Sequence, residues 1–239
     1  MSDFSILMLT YHRPDLLEKT LESYCDTHCD YPHDLYIQNN CGTAEVRNVI
    51  EKWKPKLSFL KDVKFNEKNY GLSYCTNRFW REAQTEYIGK IDSDMLFETK
   101  DWIRTLHESM LKVREVDDRW LLLHGRYTQD GWDYYRGDTK PEFDINGVTM
   151  LEAVHGPNKA RHGDGCMYIG HRGSLRQIGP IPVFNSNIFG WDHYQKMTAA
   201  RGWKLAYIKD LKCFHLGAGP GYLTKNTEYA EEIALERRK

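Results

Sequence analysis

Long apolar runs are missing from this sequence: nothing in its 239 residues approaches the ~18 consecutive apolar residues of a transmembrane helix. The opening stretch, MSDFSILMLTYHRPD, lacks a basic segment ahead of a short apolar run, so it does not read as a secretory signal. Excess charge is lacking too. A formal balance of −1 supplies no global field for nucleic acid or an anionic membrane. The six cysteines (Cys25, Cys29, Cys41, Cys75, Cys166 and Cys213) are scattered without an export signal and read as free thiols of a reducing compartment. Cys25, His28, Cys29 and His33 cluster, but no second pair stands at zinc-finger spacing, which argues against structural zinc. Internal repeats, low-complexity tracts and linkers are also absent. The expectation is a cytoplasmic chain forming a single domain over 1–239, without transmembrane segment or nucleic-acid partner.

What is present is ample material for a core, 41% apolar and 13% aromatic residues. Phe4 to Leu9 has the length and flanks of a buried strand. Pro14 and Asp15 open a helix with Leu16, Leu17, Thr20, Leu21 and Tyr24 at helical spacing. Asp34 to Gln38 is a second strand, and Thr43 caps a helix carrying Val46, Val49, Ile50 and Trp53. Phe59 to Phe65 is a weaker strand, followed by a turn whose Ser73 caps a helix over Tyr74 to Gln84. Tyr87 to Ile91 is the fourth strand. Such alternation calls for a parallel sheet covered by helices, with ligands gathering beyond the carboxyl ends of its strands.

The second half is less regular. Lys100 to Val116 reads as a helix, Trp120 to Leu123 and Cys166 to Gly170 as strands, and Ser174 to Gly179 as a short helix. Gly125 to Asp164 reads as a loop-rich segment dense in aromatics, a surface suited equally to core packing or to sugar rings. Phe189 to Ala200 is a helix, Lys204 to Ile208 and Lys212 to His215 are strands, and the tail after Asn226 is an amphipathic helix.

The fourth strand stops at Asp92-Ser93-Asp94. In extended backbone, residues i and i+2 face the same side, so Asp92 and Asp94 can converge on one cation. Carboxylates are hard ligands suited to magnesium or manganese, ions that commonly bridge to substrate phosphates. Taken alone, the pair reads sooner as a solvated turn than as a metal site.

The order of polar stops adds to it. Thr10-Tyr11, Asn39-Asn40-Cys41-Gly42, Asn69-x-Gly71-(x5)-Asn77, Asp92-Ser93-Asp94, Gly190-Trp191-Asp192 and His215 follow one another along the chain. In this order they resemble the inverting, family-2-like glycosyltransferases of the GT-A fold. The resemblance implies an α/β, Rossmann-like, mostly parallel sheet flanked by helices. A smaller acceptor-side region would accompany that sheet; by residues, the nucleotide-sugar-binding half would be 1–98, and the acceptor-side half with the C-terminal helix 99–239.

It further implies transfer of a sugar from a UDP- or GDP-sugar to a hydroxyl acceptor, a carbohydrate by preference, with Mn2+ or Mg2+ as cofactor. Asp94 would be a direct metal ligand, Asp92 a ligand or a contact to ribose, and His215 a further metal or phosphate contact. Thr10 and Tyr11 would form the base pocket, joined by Arg13, Asn69, Gly71, Asn77 and Ser93 around the donor. Asn39 or Asn40 stands where relatives place a base-reading aspartate, and Thr76 where they often carry an arginine that Arg78 or Arg13 would replace. Asp192 would be the general base, with His193 or Asp164 next in line.

Two other classes were weighed. A nucleotidyltransferase usually carries a glycine-rich phosphate loop after its first strand, and Tyr11-His12-Arg13-Pro14 has no glycine. A non-catalytic carbohydrate-binding protein on the same fold would not require Asp92, Asp94, Asp192 and His215 together.

Overall fold

The computed structural model describes residues 2–28, 30–129, 132–133, 141–155, 160–161, 165–183 and 189–216. The first half alternates as its periodicity predicts: β1 (Phe4–Thr10), α1 (Pro14–Thr27), β2 (Asp34–Asn39), α2 (Ala44–Trp53), β3 (Leu60–Phe65), α3 (Leu72–Glu82) and β4 (Tyr87–Asp92). After a two-residue turn come β5 (Met95–Phe97), α4 (Trp102–Val116), β6 (Trp120–Gln129) and β7 (Trp132–Asp133). Then follow β8 (Glu142–Ile145), β9 (Val148–Glu152), β10 (Val154–His155), β11 (Ala160–Arg161), β12 (Met167–His171), α5 (Arg172–Ile178), α6 (Phe189–Ala200) and β13 (Lys204–His215).

Among the described residues the main sheet runs β3-β2-β1-β4-β12-β6-β13-β9-β8, with β5 and β7 added on β13 and β6. Pairing is parallel from β3 to β4. Beyond β4 it turns mainly antiparallel, because β12 runs against both β4 and β6. The parallel expectation therefore holds for the strands up to β4, and the sheet as a whole is mixed. Its central strands are buried on both faces, whereas the edge strands β3 and β8 are partly exposed. Ile6, Met8, Ile37 and Ile91 pack beneath α1, α2 and α4, while Leu7, Ile88, Leu122 and Tyr168 pack with Phe79, Leu175 and Tyr194 from α3, α5 and α6.

Several local expectations change. Ser73 lies inside α3, and the residue before that helix is Gly71, at φ 81°, a left-handed conformation open to glycine. Gly125 to Asp164 is not mainly loop where described. Its Gly125–Gln129 stretch continues β6, and β8 and β9 form a hairpin around Asn146 (φ 53°) and Gly147 (φ 75°). An Asn-Gly pair flanked by alternating apolar residues is a strong hairpin signal, and Asp144 Oδ1 reinforces it by accepting from the Gly147 N–H at 2.9 Å. Lys204–His215 is one strand, interrupted by a register shift between Ile208 and Lys212. The C-terminal helix expectation lies outside the described residues, as does Cys29 of the cysteine–histidine cluster. His33 of that cluster is held by the Tyr24 hydroxyl and the Tyr31 carbonyl, and burial lowers its pKa to about 4. Among the described residues, no helix is long and apolar enough to cross a membrane.

Candidate active site at the carboxyl rim of the sheet

The site begins with a chain reversal. After Asp92 the backbone turns through Ser93 and Asp94 and returns as β5, which pairs antiparallel with the end of β13, His215 opposite Met95. That pairing, together with the Leu216 N–H donating to the Asp94 carbonyl at 2.8 Å, brings together residues far apart in sequence. The other edge of β5 is satisfied by α1: the Met95 N–H donates to Thr20 Oγ1 at 3.0 Å and the Phe97 N–H to Ser23 Oγ at 2.7 Å. Hydroxyls in a helix face thus substitute for a missing strand partner.

Within this frame His215 Nε2 lies 3.2 Å from Asp94 Oδ1, and Arg13 Nη1 lies 3.6 Å from Asp94 Oδ2. Asp92, Cys166 and His215 each offer a ligand atom, all within 4.8 Å of one another. The Asp92 N–H donates to the Cys166 carbonyl at 2.8 Å, an extension of the β4–β12 ladder. Lys90, 2% exposed, donates to Asp92 Oδ1. Burial, reinforced by the neighbouring Asp94 charge, raises the Asp92 carboxyl above its ordinary range despite Lys90. Burial also acts to raise Asp94, but hydrogen bonding and charge from His215, with Arg13 and Lys90 behind them, outweigh it and leave that carboxyl low. Two carboxylates and an imidazole form a donor set that suits Mn2+ or Mg2+. The Cys166 sulfur is a softer neighbour.

Arg13 reaches this rim from a strained backbone. It precedes Pro14 and caps α1 at φ 70°, ψ 64°, where side chains with a Cβ are disfavoured. Such strain is retained where a side chain is needed in place. We expect Arg13→Gly to leave folding stability within about 1 kcal/mol of wild type, relief of strain offsetting glycine's entropy, while weakening nucleotide binding several-fold. Chemical denaturation and nucleotide titration check the two halves. Of the two arginines considered as replacements at Thr76, Arg13 faces Asp94, whereas Arg78 Nη2 is bound to Asn66 Oδ1 at 2.9 Å.

The neighbouring strand ends build a second wall. Thr10 and Asn39 sit opposite each other in the β1–β2 register. Both are buried, and Thr10 Oγ1 and Asn39 Nδ2 have no hydrogen-bond partner among the described residues. Asn39 Oδ1 accepts from the Gly42 N–H at 2.5 Å. Asn40 is spent differently. Its Oδ1 accepts from Asn66 Nδ2, the Tyr70 N–H and Cys75 Sγ, and its Nδ2 donates to Asn69 Oδ1 at 2.7 Å. Asn69 Oδ1 in turn accepts from the Gly71 N–H at 2.9 Å, so Asn40, Asn69 and Gly71 form one bracket shaping the turn into α3. Of the two asparagines, Asn39 therefore has the uncommitted donor.

Tyr11 stands edge-on to His12, and its carbonyl lies against Gly42, where any Cβ would overlap the oxygen. Gly42→Ala should cost about 3 kcal/mol in an equilibrium urea melt, because the Cβ has no rotamer to escape by and the oxygen it meets is backbone.

Asn77 is occupied in the structure by a reciprocal pair with Ile181, donating to its carbonyl and accepting from its N–H at 2.8 Å each. It thereby anchors the segment leading toward α6. At Gly190 a Cβ would press on the Pro182 carbonyl oxygen and on Ser73 Oγ of α3, so the absence of a side chain lets α6 begin against α3. Trp191 is buried and stacks on Tyr168 of β12, ring centroids 4.5 Å apart. Asp192 follows in the first turn of α6; its side chain lies outside the described residues, and so does Asp164.

Lys90 and Cys166 are site residues that the sequence reading did not single out. The available signal for Lys90 was a lone charge inside an otherwise buried strand, two residues before Asp92. Cys166 had none, since it arrives only through the antiparallel pairing of β12.

Residues 5–179 match the family model described as glycosyl transferase family 2. The chain belongs to that family. Among curated proteins it is similar to the hyaluronan synthase of Pasteurella multocida, 23% identical over 153 residues that cover 63% of this chain and 14% of that enzyme. It is also similar to the putative teichuronic acid biosynthesis glycosyltransferase TuaG of Bacillus subtilis, 28% identical over 91 residues, 38% of this chain and 35% of that protein.

The fold resembles that of the mannosyltransferase PcManGT from Pyrobaculum calidifontis, solved in complex with GDP-Man and Mn2+. The TM-score is 0.68 at 16% identity, over 97% of this chain and 61% of that one. TarS 1-349 of S. aureus in complex with UDP-GlcNAc gives a TM-score of 0.61 at 17% identity, over 90% and 58%. The GT-A architecture is thereby shown. This chain spans less than two thirds of each of these relatives.

Proposed function

We propose that this chain is a metal-dependent, inverting glycosyltransferase that moves a sugar from a UDP- or GDP-sugar to a hydroxyl acceptor, a carbohydrate by preference. The observation that carries the reading is the convergence of Asp92, Asp94, His215 and Arg13 from separate chain segments on one rim of the sheet. Relatives solved with GDP-Man and Mn2+ or with UDP-GlcNAc support the donor class.

Asp92, Asp94 and His215 would hold the divalent ion, which when bound offsets the charge that develops on the leaving diphosphate. Arg13 adds a cation on the same side, where preorganised charge acts on the departing group without reorganisation. Thr10, Tyr11 and Asn39 would receive the base; the unpartnered Thr10 hydroxyl and Asn39 amide are available to read its edge. Asn40, Asn69, Gly71 and Asn77 contribute by fixing the turns around that pocket, and Ser93 by its place between the two carboxylates. Asp192 takes the acceptor proton as the hydroxyl attacks from the face opposite the diphosphate, giving inversion. With the acceptor side assigned to the region beyond residue 98, the aromatic-rich Gly125–Asp164 segment would set acceptor choice.

The test is a panel of UDP- and GDP-sugars with Mn2+ or Mg2+, read by thermal shift and by release of the nucleoside diphosphate. A metal-dependent shift with one nucleotide class is expected; no shift with any nucleotide plus metal would overturn the proposal.

A further inference from the structure

Lys90 is held where a lysine is seldom found. Its side chain is 2% exposed, and its ammonium donates to Asp92 Oδ1 and, at 2.8 Å, to the Gly165 carbonyl. Gly165 is itself covered: a Cβ there would come within 3.2 Å of the Trp191 ring. Tyr168, on which Trp191 stacks, is the direct partner of Lys90 across the β4–β12 ladder. At 2% exposure and donating to both Asp92 and Gly165, the ammonium is held inside the protein rather than in water as on a surface lysine. A charge so buried is only weakly screened by salt.

A count of charge then bears on cation binding. Among the described side chains of the rim, Asp92 and Asp94 bring two negative charges, and Lys90 and Arg13 bring two positive ones. His215 and a Cys166 thiol add no negative charge. A free carboxylate pair attracts a divalent cation, but here the pair is already balanced, and Lys90 also occupies one of the two Asp92 oxygens.

We propose that Lys90 is a built-in counter-charge that keeps Asp92 and Asp94 from holding a divalent cation alone, so that the cation is taken up together with the donor's diphosphate. The diphosphate brings the negative charge that the protein withholds. Lys90 is therefore a positioning residue that couples metal occupancy to donor occupancy. This inference rests on the nucleotide-sugar reading above, since it takes a diphosphate as the second ligand.

Water-proton relaxation enhancement, which reports protein-bound manganese, tests it on the wild-type chain, Lys90→Met and Lys90→Gln, each titrated with Mn2+ alone and with UDP or GDP present. For the wild type, Mn2+ alone should bind at least about 10-fold more weakly than with the productive nucleotide. Both variants should tighten binding of Mn2+ alone by roughly 10-fold or more, the order expected when a nearby unit charge of the same sign is removed. Thermal melts check folding, and if Lys90→Met does not fold, Lys90→Gln decides. Lys90→Gln keeps a hydrogen-bond donor, so a wild-type-like Gln variant beside a tight Met variant would assign the effect to hydrogen bonding and overturn the counter-charge. Equal wild-type affinity with and without nucleotide would also overturn it, and that comparison needs no variant. Failure of UDP and GDP to bind under any metal condition would instead remove the parent reading.

Discussion

Asp94→Ala is expected to abolish metal-dependent nucleotide binding and to lower sugar transfer by about 10²–10³-fold while leaving the fold intact. The carboxylate is the hub of the rim, with His215 at 3.2 Å on one oxygen and Arg13 at 3.6 Å on the other. Its loss would remove the proposed metal ligand and the carboxylate that His215 and Arg13 share. The backbone arrangement does not depend on the side chain. The Asp94 carbonyl still accepts from Leu216, and β5 still pairs with β13.

Some stability should go with the charge. The folded-state pKa of Asp94 is depressed below its ordinary 3.8, so its ionised form stabilises the fold above that pH, and the contribution fades as pH falls through the lower folded value. The variant should therefore be less stable than wild type at neutral pH, with the difference narrowing in acid. Calorimetric titration of Mn2+ with UDP or GDP, beside melts at pH 7 and pH 3, reads both effects. Unchanged nucleotide affinity would take the metal-ligand role away from Asp94.

Asp192→Asn is expected to do something different: donor binding persists while transfer falls by roughly 10²–10⁴-fold, the scale of losing a general base. Its backbone position is set by the anchoring of α6. Gly190 lets the helix start against Ser73 and the Pro182 carbonyl, the Asn77–Ile181 pair fixes the approach, and Trp191 is clamped on Tyr168. A residue in that first turn is thus carried by a rigid element, as a group that must meet an acceptor hydroxyl within a few tenths of an ångström requires. Donor affinity by calorimetry and turnover by nucleotide release separate this variant from Asp94→Ala, which should lose both. Near-normal turnover in Asp192→Asn would move the role to His193 or Asp164.

Much of this protein is written locally. Strand and helix periods along the first 98 residues are short-range properties. So are the buried stripe Leu17-Thr20-Leu21-Tyr24 of α1 and the acidic stop after β4, and all are legible without knowing what packs on what. The hairpin at Asn146-Gly147 was local as well, and was obscured only by the aromatic-rich surroundings. What the tertiary structure decided was pairing. The switch to antiparallel strands after β4 brought Cys166 beside Asp92, and the addition of β5 to β13 set His215 against Asp94 across 121 residues of separation. Side-chain commitments were settled there too: Asn40 went to a structural bracket and Asn39 kept a free donor. The burial of Lys90 belongs to the same class. A sequence shows that a charge is present, but whether water or protein surrounds it depends on contacts between distant segments, and that difference in solvation governs what the charge does.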